Sequence, residues 1–205
     1  MSDDLPLTRW ELGSTTGYAR RFADLIADGK DVVGEARLAD ALVRRNARIL
    51  DAGSGMGRIG AALQEAGHRV VAAEKDPELV AESRRRYPGL PVLESDLLAL
   101  TADLVEPGVD LVVLVGNVIV LLAPETEQRL LRTLGDLLAP DGRILVGFHA
   151  YGGHGSARDY PFEEFAADVT ASGLEVQHRF GSYELDAPSE DYVVAVLVRG
   201  PRAEG

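Results

Sequence analysis

From residue 47 onward the chain alternates short apolar runs with longer segments whose apolar residues recur at helical spacing. The runs Ala47–Asp51, His68–Glu74, Pro91–Glu94, Val109–Val115 and Arg143–Phe148 read as five strands. Val109–Val115 has no polar alternation apart from Asp110, as expected of a strand buried on both faces. Between the runs, Arg58–Ala66 is ended by Gly67, and Asp76-Pro77 supplies a cap and a first-turn proline for a helix reaching Tyr87. Pro124–Leu138 carries an inner stripe of Leu130, Leu131, Leu134, Leu137 and Leu138, and Asp141-Gly142 reads as a turn. A helix over Phe162–Ser172 precedes two more runs, Leu174–Tyr183 and Tyr192–Arg199, joined only by the loop Asp186–Asp191. Strands alternating with helices predict a doubly wound α/β fold: a mostly parallel, seven-stranded sheet closed by a C-terminal antiparallel hairpin.

The first 46 residues carry a different pattern. Residues 1–13 show little periodicity and read as a loosely structured arm. A helix capped by Ser14 or Thr15 and running to Ala27 has Tyr18, Phe22, Leu25 and Ile26 at helical spacing, and a second covers Val33–Arg45. The expectation is one domain over residues 1–205, with N-terminal helices (1–46) serving as a lid or substrate cover and a core over 47–199.

Composition narrows the classes. The 205 residues contain no cysteine, which excludes disulfides, thiolate–metal sites and a cysteine nucleophile. No apolar run approaches the roughly 20 residues of a membrane span. The longest, Leu111–Ala123, is broken by Gly116 and Asn117. The acidic start Met1-Ser2-Asp3-Asp4 lacks a signal-peptide pattern, so a cytoplasmic location is expected. A net charge of −12 opposes phosphate backbones and anionic lipid, so neither nucleic acid nor membrane is the expected partner. Arg84-Arg85-Arg86, at a helix end, is better read as charge complementing the helix dipole on a solvated face.

The chemistry centres on Ile49–Gly60, where a strand runs into a glycine-dense turn and then a helix. Such a turn lets a ligand approach the backbone and presents unpaired N–H groups at the helix start. Two fingerprints overlap. Gly55-Met56-Gly57-Arg58-Ile59-Gly60 is G-x-G-x-x-G, the dinucleotide pattern, with Glu74 at about the distance of its ribose-binding acid. Asp51-Ala52-Gly53-Ser54-Gly55-Met56-Gly57 is D-x-G-x-G-x-G, which resembles the first motif of the class I S-adenosylmethionine (SAM) dependent methyltransferases.

That resemblance spans residues 45–199. Glu74-Lys75-Asp76-Pro77 is similar to the family's acid-x-Ser/Asp-Pro run, Asp96 follows strand three, and strand four starts at Asp110 and ends at Gly116-Asn117 as in the fourth motif. The closing hairpin matches the family's extra antiparallel strand. The resemblance implies SAM as cofactor, with S-adenosylhomocysteine as product, and a site built from Asp51, Gly53, Ser54, Gly55, Arg58, Glu74, Lys75, Asp96, Leu97, Gly116 and Asn117. In it, Glu74 takes the ribose hydroxyls, Asp96 the adenine amine and the backbone near Leu97 a ring nitrogen. Gly53 and Gly55 admit the methionine moiety, Asp51 orders the turn and interacts with the amino group, and Arg58 pairs with the cofactor carboxylate. Local roles compete: Asp51 satisfying turn donors, Asp96 capping the next segment, Arg58 as a solvated helix residue. An NAD(P)-dependent oxidoreductase and a non-catalytic SAM-binding module remain as alternatives.

Methyl transfer from a sulfonium needs alignment above all, and a base only when the nucleophile arrives protonated. The loop from Phe148 to Gly155 holds the candidates: His149 as base, since an imidazole titrates near neutrality, with Tyr151 and Tyr18 lining the substrate pocket. His149 and His154 lack nearby carboxylates at a ligand spacing, so no metal is expected. The expected partner is a small-molecule acceptor, with the protein a monomer or homodimer.

Overall fold

A computed structural model describes residues 5–13, 33–153 and 155–201. The expected helix between residues 14 and 27, Tyr18 and His154 lie outside the described residues.

The core of the architecture is a seven-stranded sheet in the order β3-β2-β1-β4-β5-β7-β6. Its strands are β1 (Arg48–Ala52), β2 (Arg69–Glu74), β3 (Val92–Glu94), β4 (Val109–Leu114), β5 (Leu138–His149), β6 (Leu174–Phe180) and β7 (Tyr192–Arg199). Pairings among β1 to β5 are parallel, whereas β7 is antiparallel to both β5 and β6, so β7 alone runs against the rest. The helices are α1 (Arg9–Leu12), α2 (Gly34–Ala41), α3 (Arg58–Glu65), α4 (Pro77–Arg86), α5 (Glu127–Leu137) and α6 (Phe162–Ala171), with 3₁₀ turns at Leu97–Ala99 and Val118–Leu121.

The two faces of the sheet carry separate apolar layers, as crossovers on both sides require. One packs Leu50, Val112, Leu114, Ile144 and Val146 against the α5 stripe Leu130, Leu131 and Leu134 and against Phe165 and Tyr160. The other packs Ile49, Leu111, Val113, Leu145 and Val194 under Leu38 of α2 and Ile59 and Leu63 of α3. Buried His68 pins α2 to this layer: its Nδ1 accepts the Ala47 N–H at 3.2 Å, so Nε2 donates to Asp40 at 2.8 Å.

The helix expected over Val33–Arg45 stops at Ala41, Leu138 belongs to β5 instead of the α5 stripe, and three further local expectations change. Residues 8–12 form a capped helical turn instead of a loose arm: Thr8 Oγ1 accepts the Glu11 N–H and Glu11 accepts the Thr8 N–H at 2.8 Å, a reciprocal capping box. Asp141-Gly142 lies inside β5, in a bulge between the Val109–Leu138 and Leu111–Arg143 pairs. Gly142 fits there because a Cβ would stand 2.7 Å from the Val109 carbonyl. Lastly, β6 stops at Phe180, three residues short of Tyr183, which belongs to the connecting loop. The arginine cluster behaves as its composition suggests: Arg85 and Arg86 pair with Glu82, and Arg84 with Glu94.

Candidate functional site

Parallel strands β1, β2, β4 and β5 deliver their carboxyl ends to one edge, the place where open α/β sheets bind ligands. Gly53, Ser54, Gly55 and Gly57 form the turn leaving β1, with Gly53 at φ +74°, Gly55 at φ +55° and Gly57 at φ +80°. Those values favour glycine. What each glycine faces separates the two fingerprints. A Cβ on Gly55 would meet nothing within 4 Å, whereas one on Gly57 would stand 2.3 Å from Ser83 Oγ and one on Gly60 2.9 Å from Asp51 Oδ2. Gly57 and Gly60 therefore serve the packing of α3 against α4 and β1, and Gly53 packs on Val118, leaving Gly55 as the glycine of this turn that faces open space. Gly116, φ +73°, likewise opens onto space, and Ser54 Oγ is buried with no hydrogen-bond partner among the described residues.

Asp51 is 3% exposed and its Oδ2 accepts the Gly60 N–H at 2.8 Å, tying the strand end to the helix. Burial pushes its pKa up to about 7 against that hydrogen bond. An acid with a raised folded-state pKa stabilises least once ionised. The Asp51 contribution to stability should therefore decline as pH rises from 3.8 toward about 7 and level off above. Asp51→Asn keeps an oxygen for Gly60 and carries no charge. Its stability relative to the parent, from urea unfolding, should improve by up to about 1.4 kcal/mol per pH unit across that window. An equal difference at about pH 5 and about pH 8 would contradict this account.

Glu74 is 9% exposed and faces three backbone donors: Gly55 N–H reaches Oε2, and the N–H groups of Lys75 and Asp76 reach Oε1, all at 2.8 Å. Burial raises its pKa against these bonds. A carboxylate has about four lone-pair directions, so three are used and one is left for a ligand hydroxyl. A two-handed grip on a ribose requires the Gly55 N–H to let go.

Asp96 does two things at once. Oδ1 accepts the Leu98 N–H at 2.8 Å, capping the 3₁₀ turn that holds buried Leu97, and Oδ2 lies 3.0 Å from Lys75 Nζ. Lys75 also reaches Glu11 at 2.7 Å, so α1 is tied across the β2 and β3 ends. Burial works against the lysine charge, yet Glu11 and Asp96 outweigh it and hold its pKa above the ordinary value. Trp10 Nε1 donates to Asp76 Oδ2 at 3.0 Å, and Arg9 reaches the Leu122 carbonyl at 2.9 Å and Glu127 at 3.3 Å.

Arg58 is neither a solvated residue nor turned to the β1 loop alone: its guanidinium forms a two-pronged pair with Glu35 of α2, one arm at 2.9 Å. Both side chains are 15% exposed. The Asn117 side chain meets β5, with Oδ1 accepting the His149 N–H at 2.7 Å and lying 3.2 Å from His149 Nδ1. Val118 stands under Gly53, where a Cβ would be 2.6 Å from it, so the turn after β4 rests on the glycine turn. The His149 ring sits edge-on to Tyr192 at 4.7 Å, and Tyr192 and Tyr183 share a hydroxyl bond at 3.2 Å. Burial raises the pKa of both tyrosines, with Tyr192 adding to the rise at Tyr183. Tyr151 is 47% exposed. No group of three or more metal-ligating side chains occurs among the described residues.

Glu35, Glu11, Trp10, Tyr183 and Tyr192 were not among the sequence candidates. Glu35 lies 23 residues from Arg58, Glu11 64 from Lys75 and Trp10 66 from Asp76, while Tyr192 meets His149 from another strand, so none carries a local signature.

Residues 49–142 match a family model described as a methyltransferase domain. A TehB-like SAM-dependent methyltransferase from Corynebacterium glutamicum is 35% identical over 89% of this chain and 96% of that one, with a TM-score of 0.81. The CcbJ methyltransferase from Streptomyces caelestis is 16% identical, covering 82% of this chain and 89% of its own, with a TM-score of 0.72. The Burkholderia thailandensis 1,6-didemethyltoxoflavin-N1-methyltransferase, solved with its acceptor and S-adenosylhomocysteine, is 22% identical over 90% and 88%, with a TM-score of 0.63. The last two bear on the fold alone. No curated protein matches the sequence.

Proposed function

Because this chain belongs to the SAM-dependent methyltransferases of the class I fold, we propose that it methylates a small organic acceptor at the carboxyl edge of its sheet. The observation that carries this reading is the division of the glycines: Gly55 and Gly116 face open space beside buried Glu74, while Gly57 and Gly60 face protein. That cradle fits SAM, whose sulfonium supplies an activated methyl when bound. Gly53 and Gly55 admit the methionine moiety, Glu74 takes a ribose hydroxyl, and Asp96 and the backbone near Leu97 take the adenine edge. Lys75 neutralises Asp96 until the adenine amine replaces it. Asp51 orders the turn, and Arg58 acts through Glu35 to hold α2 over the site. A small acceptor agrees with the net charge of −12.

Methyl-labelled SAM offered with a panel of hydroxylated and nitrogen-containing small molecules tests the activity. Thermal shifts with SAM, S-adenosylhomocysteine and NAD(H) test the cofactor. Stabilisation by NAD(H) alone would overturn the proposal, and binding of SAM without transfer to any acceptor would favour an idle binding module.

The N-terminal segment reads as a lid. Trp10 is the single tryptophan and its indole is bonded to Asp76, beside the acid that receives the ribose. Titration with S-adenosylhomocysteine should change its emission with a midpoint equal to the calorimetric Kd. A flat signal alongside measurable binding would refute the lid.

A further inference from the structure

The pair formed by Asn117 and His149 specifies a protonation state. A backbone N–H is only ever a donor, so the side-chain atom of Asn117 that receives the His149 N–H at 2.7 Å is the amide oxygen. The same oxygen lies 3.2 Å from His149 Nδ1. An amide oxygen cannot donate, so that contact is a hydrogen bond only when Nδ1 carries the proton. In the neutral imidazole the basic lone pair is then on Nε2. Asn117 is itself held: it sits at φ +73° directly after β4, its N–H donates to the Gly147 carbonyl at 3.1 Å, and the next residue, Val118, rests on Gly53.

From this geometry we propose that Asn117 is a positioning residue that fixes His149 as the Nδ1–H tautomer, making Nε2 the proton acceptor for an acceptor molecule that arrives carrying an acidic O–H or N–H. The inference rests on the methyltransferase reading above and names its substrate class: a phenol, an enol or an N–H heterocycle. In the reaction the acceptor's proton passes to His149 Nε2 as its heteroatom bonds to the methyl carbon. The carbon–sulfur bond breaks with its electron pair staying on sulfur, and the imidazolium then returns its proton to water. The other polar groups around the ring suit this assignment. Among the described residues, Tyr192 touches the ring and shares a hydroxyl bond with Tyr183, and burial holds both phenols neutral. Tyr192, edge-on to the imidazole at 4.7 Å and paired with His149 across β5 and β7, holds the ring plane.

The test begins without an acceptor. In the full chain with ¹⁵N-labelled histidine and saturating S-adenosylhomocysteine, the His149 resonances, assigned by their loss in His149→Gln, should show a pyrrole-type Nδ1 and a pyridine-type Nε2. Asn117→Gly removes the amide with no backbone penalty, since glycine accepts the positive φ, and should give a mixture of tautomers. Asn117→Asp should keep the Nδ1–H form and raise the His149 pKa by about one unit. A merely structural asparagine would leave the tautomer and pKa unmoved. A pyridine-type Nδ1 in the parent, or no response to Asn117→Gly, overturns the proposal even if the enzyme proves to be a methyltransferase. With an acceptor from the panel, His149→Gln and Asn117→Gly should lower kcat at least ten-fold with little change in KM. Equal turnover by His149→Gln, or preferred transfer to a thioether or tertiary amine, would also overturn it. Failure of every acceptor would count against the proposed activity, with the tautomer readout still deciding the role of Asn117.

Discussion

Replacing Glu74 with glutamine is expected to weaken S-adenosylhomocysteine binding by about ten-fold or more, the scale of losing a hydrogen bond to a charged group. The substitution is nearly isosteric, so the result isolates the charge and the acceptor count. Glu74 accepts from Gly55, Lys75 and Asp76, all at 2.8 Å, and keeps one lone-pair direction for ligand. Glutamine has one oxygen. If that oxygen keeps the Lys75 and Asp76 donors, the amide nitrogen is turned toward the Gly55 N–H, donor against donor. The glycine turn then shifts, and the ligand loses its acceptor at the same moment. A folding penalty of about 1 kcal/mol should accompany the binding loss, from the part-buried Gly55 N–H losing its partner. Calorimetry on a variant shown by circular dichroism to be folded decides the matter: an unchanged Kd would remove Glu74 from the cofactor site.

The second large effect concerns stability. Gly57→Ala should destabilise the fold by about 2–4 kcal/mol, combining left-handed backbone strain with overpacking. Gly57 has φ +80°, and a Cβ there would stand 2.3 Å from Ser83 Oγ and 2.9 Å from Leu90. Ser83 and Leu90 are buried, and Ser83 lies on α4, so relief requires turning the Ser83 hydroxyl and shifting Leu90 within a packed layer. Gly67→Ala is the matched control. It shares the positive φ, +92°, but has nothing within 4 Å, so it should cost only the strain, about 1–2 kcal/mol. Urea unfolding of the two variants separates packing from strain. Equal losses would mean that the helix contact at Gly57 is easily relaxed.

The same division shows in space why the two glycine fingerprints overlap when the turn is read alone. Both patterns ask for glycine at 55 and 57, and only the surroundings show that Gly55 faces space while Gly57 faces Ser83. The dinucleotide pattern needs its second glycine, Gly57, at the ligand, and here that position is filled by α4.

Elements were legible wherever a local physical rule chooses the residue. Val109–Val115 read as a buried strand because every neighbour in a parallel sheet is apolar, and Asp76-Pro77 read as a helix start because cap and first-turn preferences are local. Elements set by distant partners were misread. The turn at Asp141-Gly142 became a bulge because β4 continues past it. The solvated reading of Arg58 gave way to a pair with Glu35, 23 residues away, and the supposed arm around Trp10 docked on Asp76, 66 residues away.

By itself, then, the amino-acid sequence determined the alternating sheet, the glycine turn, the acids at the ends of β1, β2 and β3, and the cofactor class they imply. The elements follow from preferences acting over a few residues (strand burial, capping, and the freedom of glycine), and the cofactor class from the family resemblance those motifs carry. Tertiary structure alone decided which glycines face open space, that Glu74 has one acceptor direction to spare, that Lys75 bridges Asp96 to Glu11, and that the Asn117 amide oxygen meets both nitrogens of His149 nearest it. These depend on which strand ends the sheet order places side by side. The order β2-β1-β4-β5 brings residues 74, 53, 117 and 149 to one edge, a proximity that no spacing along the chain encodes.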